Sequence, residues 1–392
     1  MSKGALGLLA AYWPEDTPRY AHIPLKTVGE VTIYEQAAAA ADRIALVSAS
    51  GTLTYGALAE GARGFADRLR SRIKRASRVA IVAPDAARML VAAFGAFDAE
   101  ALIFLSEKTP SGQALSAFQP ELIIADEAIA DAPAPVVSFE EIEASESRAR
   151  TGRPDTRTPL MVLPTPDGRG EVLHSHRSLV ATAVSVGRFY MMAEEISLLM
   201  LEAPTRWYTL ALMLGALQRG ATLLAGWETR APAPREWVDY VVCGWNRGIR
   251  MIDEEGAARL PKRIAAGLIA AIEEPFSASR RLRLARKLGC DVLTLFGRSD
   301  IGPVLAAHPS WYLSDAAGIP MPNVDLRPLN PADGTPLNIG WEVVERAEIG
   351  VKSPLAPAGA EQIQGWFRTH IMAEVDPTGF YFLHPETPLR AV

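Results

Sequence analysis

The stretch RVAIVAPDAARMLVAAFGAFDAEALIFL, residues 78–105, decides the fold class. RVAIVAP (78–84) is a continuous apolar, β-branched run, the pattern of a strand buried on both faces of a parallel sheet. AARMLVAAFGAFDAE (86–100) reads as a helix and ALIFLSE (101–107) as the next strand. Upstream, IALVSA (44–49), a turn at Ser50 and Gly51, and TLTY (52–55) lead into a helix. That helix sets Leu58, Ala62, Phe65, Ala66 and Leu69 on one face and Arg63, Asp67 and Arg70 outside. Downstream, QPELIIAD, LMVLP, ISLLMLEAP, ATLLAG, VDYVVCG, LIAAIEEP and DVLTLF read as strands, most of them separated by helical patterns. The alternation implies a doubly wound α/β sheet.

Composition shifts divide the chain. Residues 129–158 are rich in Pro, acid and Arg, which places a subdomain boundary there. From about residue 313, short strands alternate with Gly, Pro and Asn turns, the pattern of a small barrel. The expected architecture is two doubly wound αβα subdomains, 1–155 and 156–312, stacked as layers, plus a small distorted β-barrel over 313–392.

The totals exclude several classes. Apolar residues make up 49% and charged residues 22%, an ordinary globular balance. The net charge of −5, without a basic stripe, argues against a nucleic-acid partner. Cys243 and Cys290 sit in apolar surroundings and read as reduced core thiols. No apolar run is long enough for a membrane span or a signal segment, so a cytoplasmic protein is expected.

The most informative chemical stretch is LPTPDGRGEVLHSHRSL, residues 163–179. A turn of small residues between a strand and a helix expected to start after Arg177 is a common place to hold phosphate. Pro164 and Pro166 remove N–H donors from it, and Asp167 and Glu171 add negative charge. One such charge ~4 Å from a phosphate costs about 4 kcal/mol at an effective dielectric near 20. Two readings stay open: an ordinary turn, or a remodelled anion site using Thr165, Arg169 and the following helix N-terminus. His174 and His176 form an HxH pair with no third ligand at a telling spacing, so they read as positioning the helix start rather than holding a metal.

The order of many segments resembles the large N-terminal domain of the adenylate-forming superfamily of acyl- and aryl-CoA ligases, luciferases and adenylation domains. The resemblance spans roughly residues 30–390. It runs through LTYGALAEGARGFADRLR, the 78–105 unit, VLHSHRSL, RGATLLAG, LFGRSDIGPV, GIPMPNVDLRPLNPADGTPL and WFRTHIMAEVDPTGFYFL. It implies a carboxylate attacking the α-phosphate of ATP, then a thiol displacing AMP, helped by N–H donors, cations and Mg²⁺.

Carried over by position, Phe296 and Gly297 flank adenine and the acid tunnel, with Arg298 beside them. Ser299 keeps a phosphate-contacting hydroxyl, and Asp300 stands where a Glu binds Mg²⁺. Trp207 falls on the aromatic that lines the acid pocket. Thr165, Arg169, His176, Ser299 and Asp300 form the nucleotide-facing set.

Other parts depart from the pattern. The phosphate-loop Lys falls on Gly170, the ribose-binding Asp on Ile371, and the hinge Gly-Arg on Pro385 and Glu386. No small C-terminal domain is read. The expectation is a degenerate acyl-CoA-synthetase-like protein that uses no ATP and binds a small acid, acyl or aryl group. Alternatively it serves as a partner or repurposed enzyme in a biosynthetic pathway. The runner-up is a divergent acid-CoA or acyl-AMP ligase using ATP and Mg²⁺, with its small domain supplied in trans. A third class is a structural protein that presents a dimer surface, with the basic helix SASRRLRLARK (277–287) as a candidate face.

Overall fold

The computed structural model describes residues 13–146, 148–149, 152, 154–168, 170–227, 236–246, 250, 260–338, 342–357, 362–363 and 365–384. Arg169, Pro385, Glu386 and most of the helix expected after Gly244 lie outside these residues.

The opening stretch forms the expected βαβ unit. Strand β3 (Arg78–Val82) lies parallel to β4 (Leu102–Ser106), and the helix Ala86–Asp98 crosses between them. That helix starts where Asp85 accepts a hydrogen bond from the Arg88 N–H at 2.7 Å. The unit sits inside a six-stranded sheet. Its order is β6 (Val136–Val137), β5 (Leu122–Ile124), β3, β4, β7 (Pro159–Pro164) and β8 (Glu171–Ser175).

A nine-stranded sheet forms the second layer. Its order is β15 (Ile319–Pro320), β14 (Gly302–Ala306), β13 (Val292–Arg298), β12 (Arg263–Ile272), β11 (Trp237–Gly244), β9 (Ser197–Met200), β10 (Thr222–Ala225), β1 (Ile44–Ser48) and β2 (Gly51–Thr54). The strands from β13 through β1 are parallel, while β2, β14 and β15 are antiparallel caps. The third unit is a curled antiparallel sheet. It orders β16 (Asp325–Leu329), β17 (Val344–Lys352), β19 (Trp366–Val375) and β18 (Gln362–Ile363), with β20 (Tyr381–Leu383) on β19.

The two large sheets exchange strands across the expected boundary near 155: β1 and β2 join the nine-stranded sheet, while β7 and β8 close the six-stranded one. Length and composition do not carry this information, because strand partners are chosen by tertiary packing. The apolar face expected on the helix Tyr55–Arg72 is buried, with Leu58, Ala62, Phe65, Ala66 and Leu69 each at most 5% exposed.

Two local readings are corrected. The segment after β7 is a β-hairpin: Pro164 pairs with Glu171 and Pro159 with Ser175. The helix that follows begins at His176, inside the stretch read as its approach. The helix Ala278–Leu288 is basic outside, but Arg281 points inward and is 1% exposed. Its Nε donates to the Val292 carbonyl at 2.7 Å and its Nη1 to those of Leu313 and Ser314 at 3.1 and 3.2 Å. The Tyr312 ring lies 4.1 Å from its guanidinium carbon. Burial pulls its pKa down to about 10. Among the described residues no helix is long and apolar enough to cross a membrane, and neither Cys243 nor Cys290 is in a disulfide.

Candidate functional site

In an open parallel sheet, ligands bind outside the carboxyl ends of the strands. Strands β9, β11, β12 and β13 run parallel, so their carboxyl ends share one edge of the sheet. Glu202, Gly244, Glu273 and Arg298 stand at or just beyond those ends. Trp207, the first residue of the helix Trp207–Gln218, roofs this edge. Its indole Nε1 donates to Glu273 Oε1 at 2.6 Å. Beside it, Tyr208 donates its hydroxyl to Glu202 Oε2 at 2.6 Å, and the Gly244 N–H meets the same oxygen at 2.7 Å.

The indole approaches Gly297 closely through its Cη2 edge, and only glycine allows that approach. A Cβ there would sit 2.8 Å from Trp207 Cη2 and 2.3 Å from the Gly302 carbonyl oxygen. Below Trp207 is a cavity of about 10 Å³, room for roughly one water-sized centre. Leu163, His174, Leu179, Leu210, Arg298 and Ser299 are among its walls.

Arg298 and Asp300 form a forked pair next to this cavity. Arg298 Nε donates to Asp300 Oδ1 at 3.0 Å, Nη2 to Oδ2 at 2.7 Å, and Nη1 to the Thr369 carbonyl at 2.8 Å. Both side chains are largely buried, so the pair is screened less than a surface ion pair. Arg298 thereby ties the nine-stranded sheet to the curled one. Ser299 faces the hairpin: its hydroxyl donates to the Pro164 carbonyl at 2.6 Å, and its own carbonyl accepts from His174 Nε2 at 3.0 Å. His174 is 5% exposed, and desolvation drops its pKa to about 4.

The hairpin is closed on itself. Thr165 N–H donates to the Gly170 carbonyl at 2.9 Å, and Gly170 N–H donates back to Thr165 Oγ1 at 2.8 Å. The Thr165 hydroxyl reaches Asp167 Oδ1 at 2.6 Å. Glu171 is neutralised by Arg78, whose Nη2 lies 2.6 and 2.7 Å from its two oxygens. The following helix supplies its own cap. Ser178 Oγ accepts the Ser175 N–H at 3.0 Å, and Ser175 Oγ accepts that of Ser178 at 3.4 Å. The Arg177 N–H is taken by the Thr156 carbonyl at 2.9 Å.

The residues singled out in the sequence therefore divide. Trp207, Gly297, Arg298, Ser299 and Asp300 meet at one corner, and Ser299 joins that corner to the hairpin that carries Thr165. Phe296 is fully buried in the core. His176 lies apart, its Nδ1 accepting the Val28 N–H at 3.2 Å, so the two histidines do not share a face. Ile371 is buried at 5% exposure, while its neighbour Thr369 supplies the carbonyl that holds Arg298. Among the described residues no group of three or more His, Cys, Asp or Glu could hold a metal ion. Sequence reading missed Glu273 and Arg78 as partners. Glu273 had a signal, an acid directly after an apolar strand end; Arg78 opens a strand and had none.

Residues 33–141 match a family model described as AMP-binding enzyme. A sequence search of curated proteins gives no match. Among solved structures, ATP-bound MatB from Rhodopseudomonas palustris is similar at TM-score 0.74 and 16% identity, over 91% of this chain and 78% of that one. A benzoate CoA ligase from Burkholderia xenovorans is similar at TM-score 0.75 and 18% identity, over 94% and 82%. The N-terminal subdomain of Klebsiella oxytoca NpsA, solved with 3-hydroxyanthranilyl-AMSN, is similar at TM-score 0.75 and 17% identity, over 92% and 99%. With an AMP-binding match in its first third, the chain has the fold of the large N-terminal domain of adenylate-forming acyl- and aryl-CoA ligases.

Proposed function

We propose that this chain is a degenerate adenylate-forming domain that binds a small acid, acyl or aryl group, or serves as a partner subunit, without activating acids with ATP. The observation that carries this reading is the Arg298–Asp300 fork beside a cavity of about 10 Å³. Mg²⁺ demands near-ideal octahedral oxygen geometry. An ion on Asp300 would sit beside a guanidinium already bound to both of its oxygens, so the residues present do not fit Mg²⁺ in this arrangement. The hairpin adds support. Its Thr165 hydroxyl and N–H, and the buried cap at Ser175, are committed within the protein. The acid at Asp167 is unfavourable to a polyphosphate, while Glu171 is paired with Arg78. Purified protein given ATP, Mg²⁺ and a broad acid panel, with and without CoA, should release no pyrophosphate above a no-acid control. Turnover of a single acid would remove the proposal.

A second reading has its own support. Ser299 and Asp300 keep a hydroxyl and a carboxylate at the corner, and the NpsA subdomain solved with 3-hydroxyanthranilyl-AMSN has the same fold. On that reading the chain is a divergent acid-CoA or acyl-AMP ligase. It requires ATP binding with Mg²⁺ at millimolar concentration by calorimetry, and loss of that binding in Asp300→Ala.

A further inference from the structure

The cavity under Trp207 has one polar feature that the reading above does not use. His174 lines it, and its Nε2 lies 3.0 Å from the Ser299 carbonyl. A carbonyl oxygen only accepts, so Nε2 carries the proton and Nδ1 keeps a lone pair. That Nδ1 is buried and has no hydrogen-bond partner. Leu163, Leu179, Leu210 and Ala211 supply apolar walls. Buried acceptors are nearly always satisfied, and an exception on a residue that lines a slot at the sheet's carboxyl edge calls for a ligand.

We propose that this slot takes a neutral aryl or alkyl group bearing a hydrogen-bond donor, an O–H or N–H, and that His174 Nδ1 receives it. The inference rests on the preceding reading only in taking this corner as the ligand site. A carboxylate cannot enter donor-end first, because it would set acceptor against acceptor. His174 is therefore the specificity-determining residue, selecting a hydroxyl- or amino-bearing group over its hydrocarbon isostere. Entry requires the Trp207 indole to leave Gly297, and Glu273, which is exposed, holds the indole N–H in the closed position.

The test needs no nucleotide, so its result is independent of whether pyrophosphate is ever released. Phenol and toluene are near-isosteres that differ in one donor. Isothermal titration of each into the wild type and into Trp207→Ala, where the slot is enlarged, should show phenol tighter by about tenfold, the worth of one good net hydrogen bond. His174→Leu removes the Nδ1 lone pair and puts no other acceptor in its place. It should bring phenol down to the toluene affinity and leave toluene unchanged. Equal affinities in Trp207→Ala overturn the proposal, as does a phenol preference that survives in His174→Leu. Binding of neither probe to Trp207→Ala overturns it too, since the cavity then serves a water alone.

Discussion

Between pH 7 and pH 4 the fold should lose about 3 kcal/mol of stability through His174 alone. The group is buried, and desolvation holds its folded-state pKa at about 4 against 6.5 for an ordinary histidine. The sign follows from which state binds more protons. In this window the unfolded chain takes up a proton at position 174 and the folded chain does not, so stability rises with pH. The contribution is complete above about pH 6.5, falls as pH drops, and levels off below about pH 4, since a shift of 2.5 units is worth roughly 3 kcal/mol. His308 acts in the same window. It is 1% exposed, desolvation pulls its pKa to about 4, and the carboxylate of Asp16 opposes that shift. Its ring bridges Thr17 Oγ1 at 2.9 Å and the Ser310 N–H at 3.2 Å. Urea denaturation at pH 7, 5.5 and 4 measures the slope. His174→Gln, which has nothing to protonate, should flatten it by the His174 share. A slope unchanged in that variant would rule out the assignment.

Gly318→Ala should cost about 2–5 kcal/mol, from left-handed strain of about 1–2 and overpacking of about 1–3. Gly318 has φ +129° and precedes β15, where β14 pairs Ala306 with Ile319. A Cβ there would stand 2.1 Å from both the carbonyl carbon and oxygen of Ala306 and 2.7 Å from the Ala307 nitrogen. Those are backbone atoms of a fully buried strand, so no side chain can turn aside. The same residue bridges to Tyr381, and the Ala317 N–H donates to the Tyr381 carbonyl at 2.9 Å. Displacing it would therefore loosen the seam between the nine-stranded and curled sheets. Gly51 is the control, with φ +125° and nothing within 4 Å of an added Cβ. Gly51→Ala should carry the dihedral cost alone, about 1–2 kcal/mol. Equal losses for the two variants would show that backbone strain, not the close approach to Ala306, governs the position.

Several elements were legible because their causes are local. Val79, Ala80 and Ile81 are all fully buried, as a continuous apolar run in a parallel strand demands. The helix Tyr55–Arg72 buries the face its 3.6-residue spacing marks out. The hairpin at 159–175 was not legible. Its register depends on Pro159 and Pro164 finding partners sixteen and seven residues further along the chain, Ser175 and Glu171, with the turn closed by Thr165 and Gly170. The inward turn of Arg281 was not legible either, for a related reason. Its periodic position on a basic helix looks solvated, yet three carbonyls from Val292, Leu313 and Ser314 draw it inward.

By itself, then, the sequence determined the α/β class and the buried strands, because hydrophobic period and turn chemistry act over a few residues; the corner residues came only from what the resemblance implies. Only the tertiary structure decided what that corner can do. It placed the Asp300 oxygens on Arg298, the Thr165 hydroxyl on its own hairpin, the indole on Gly297, and His174 with one nitrogen committed and one left over. Each of these depends on which groups become neighbours across the fold, and hydrogen bonds and ion pairs reach only about 3 Å.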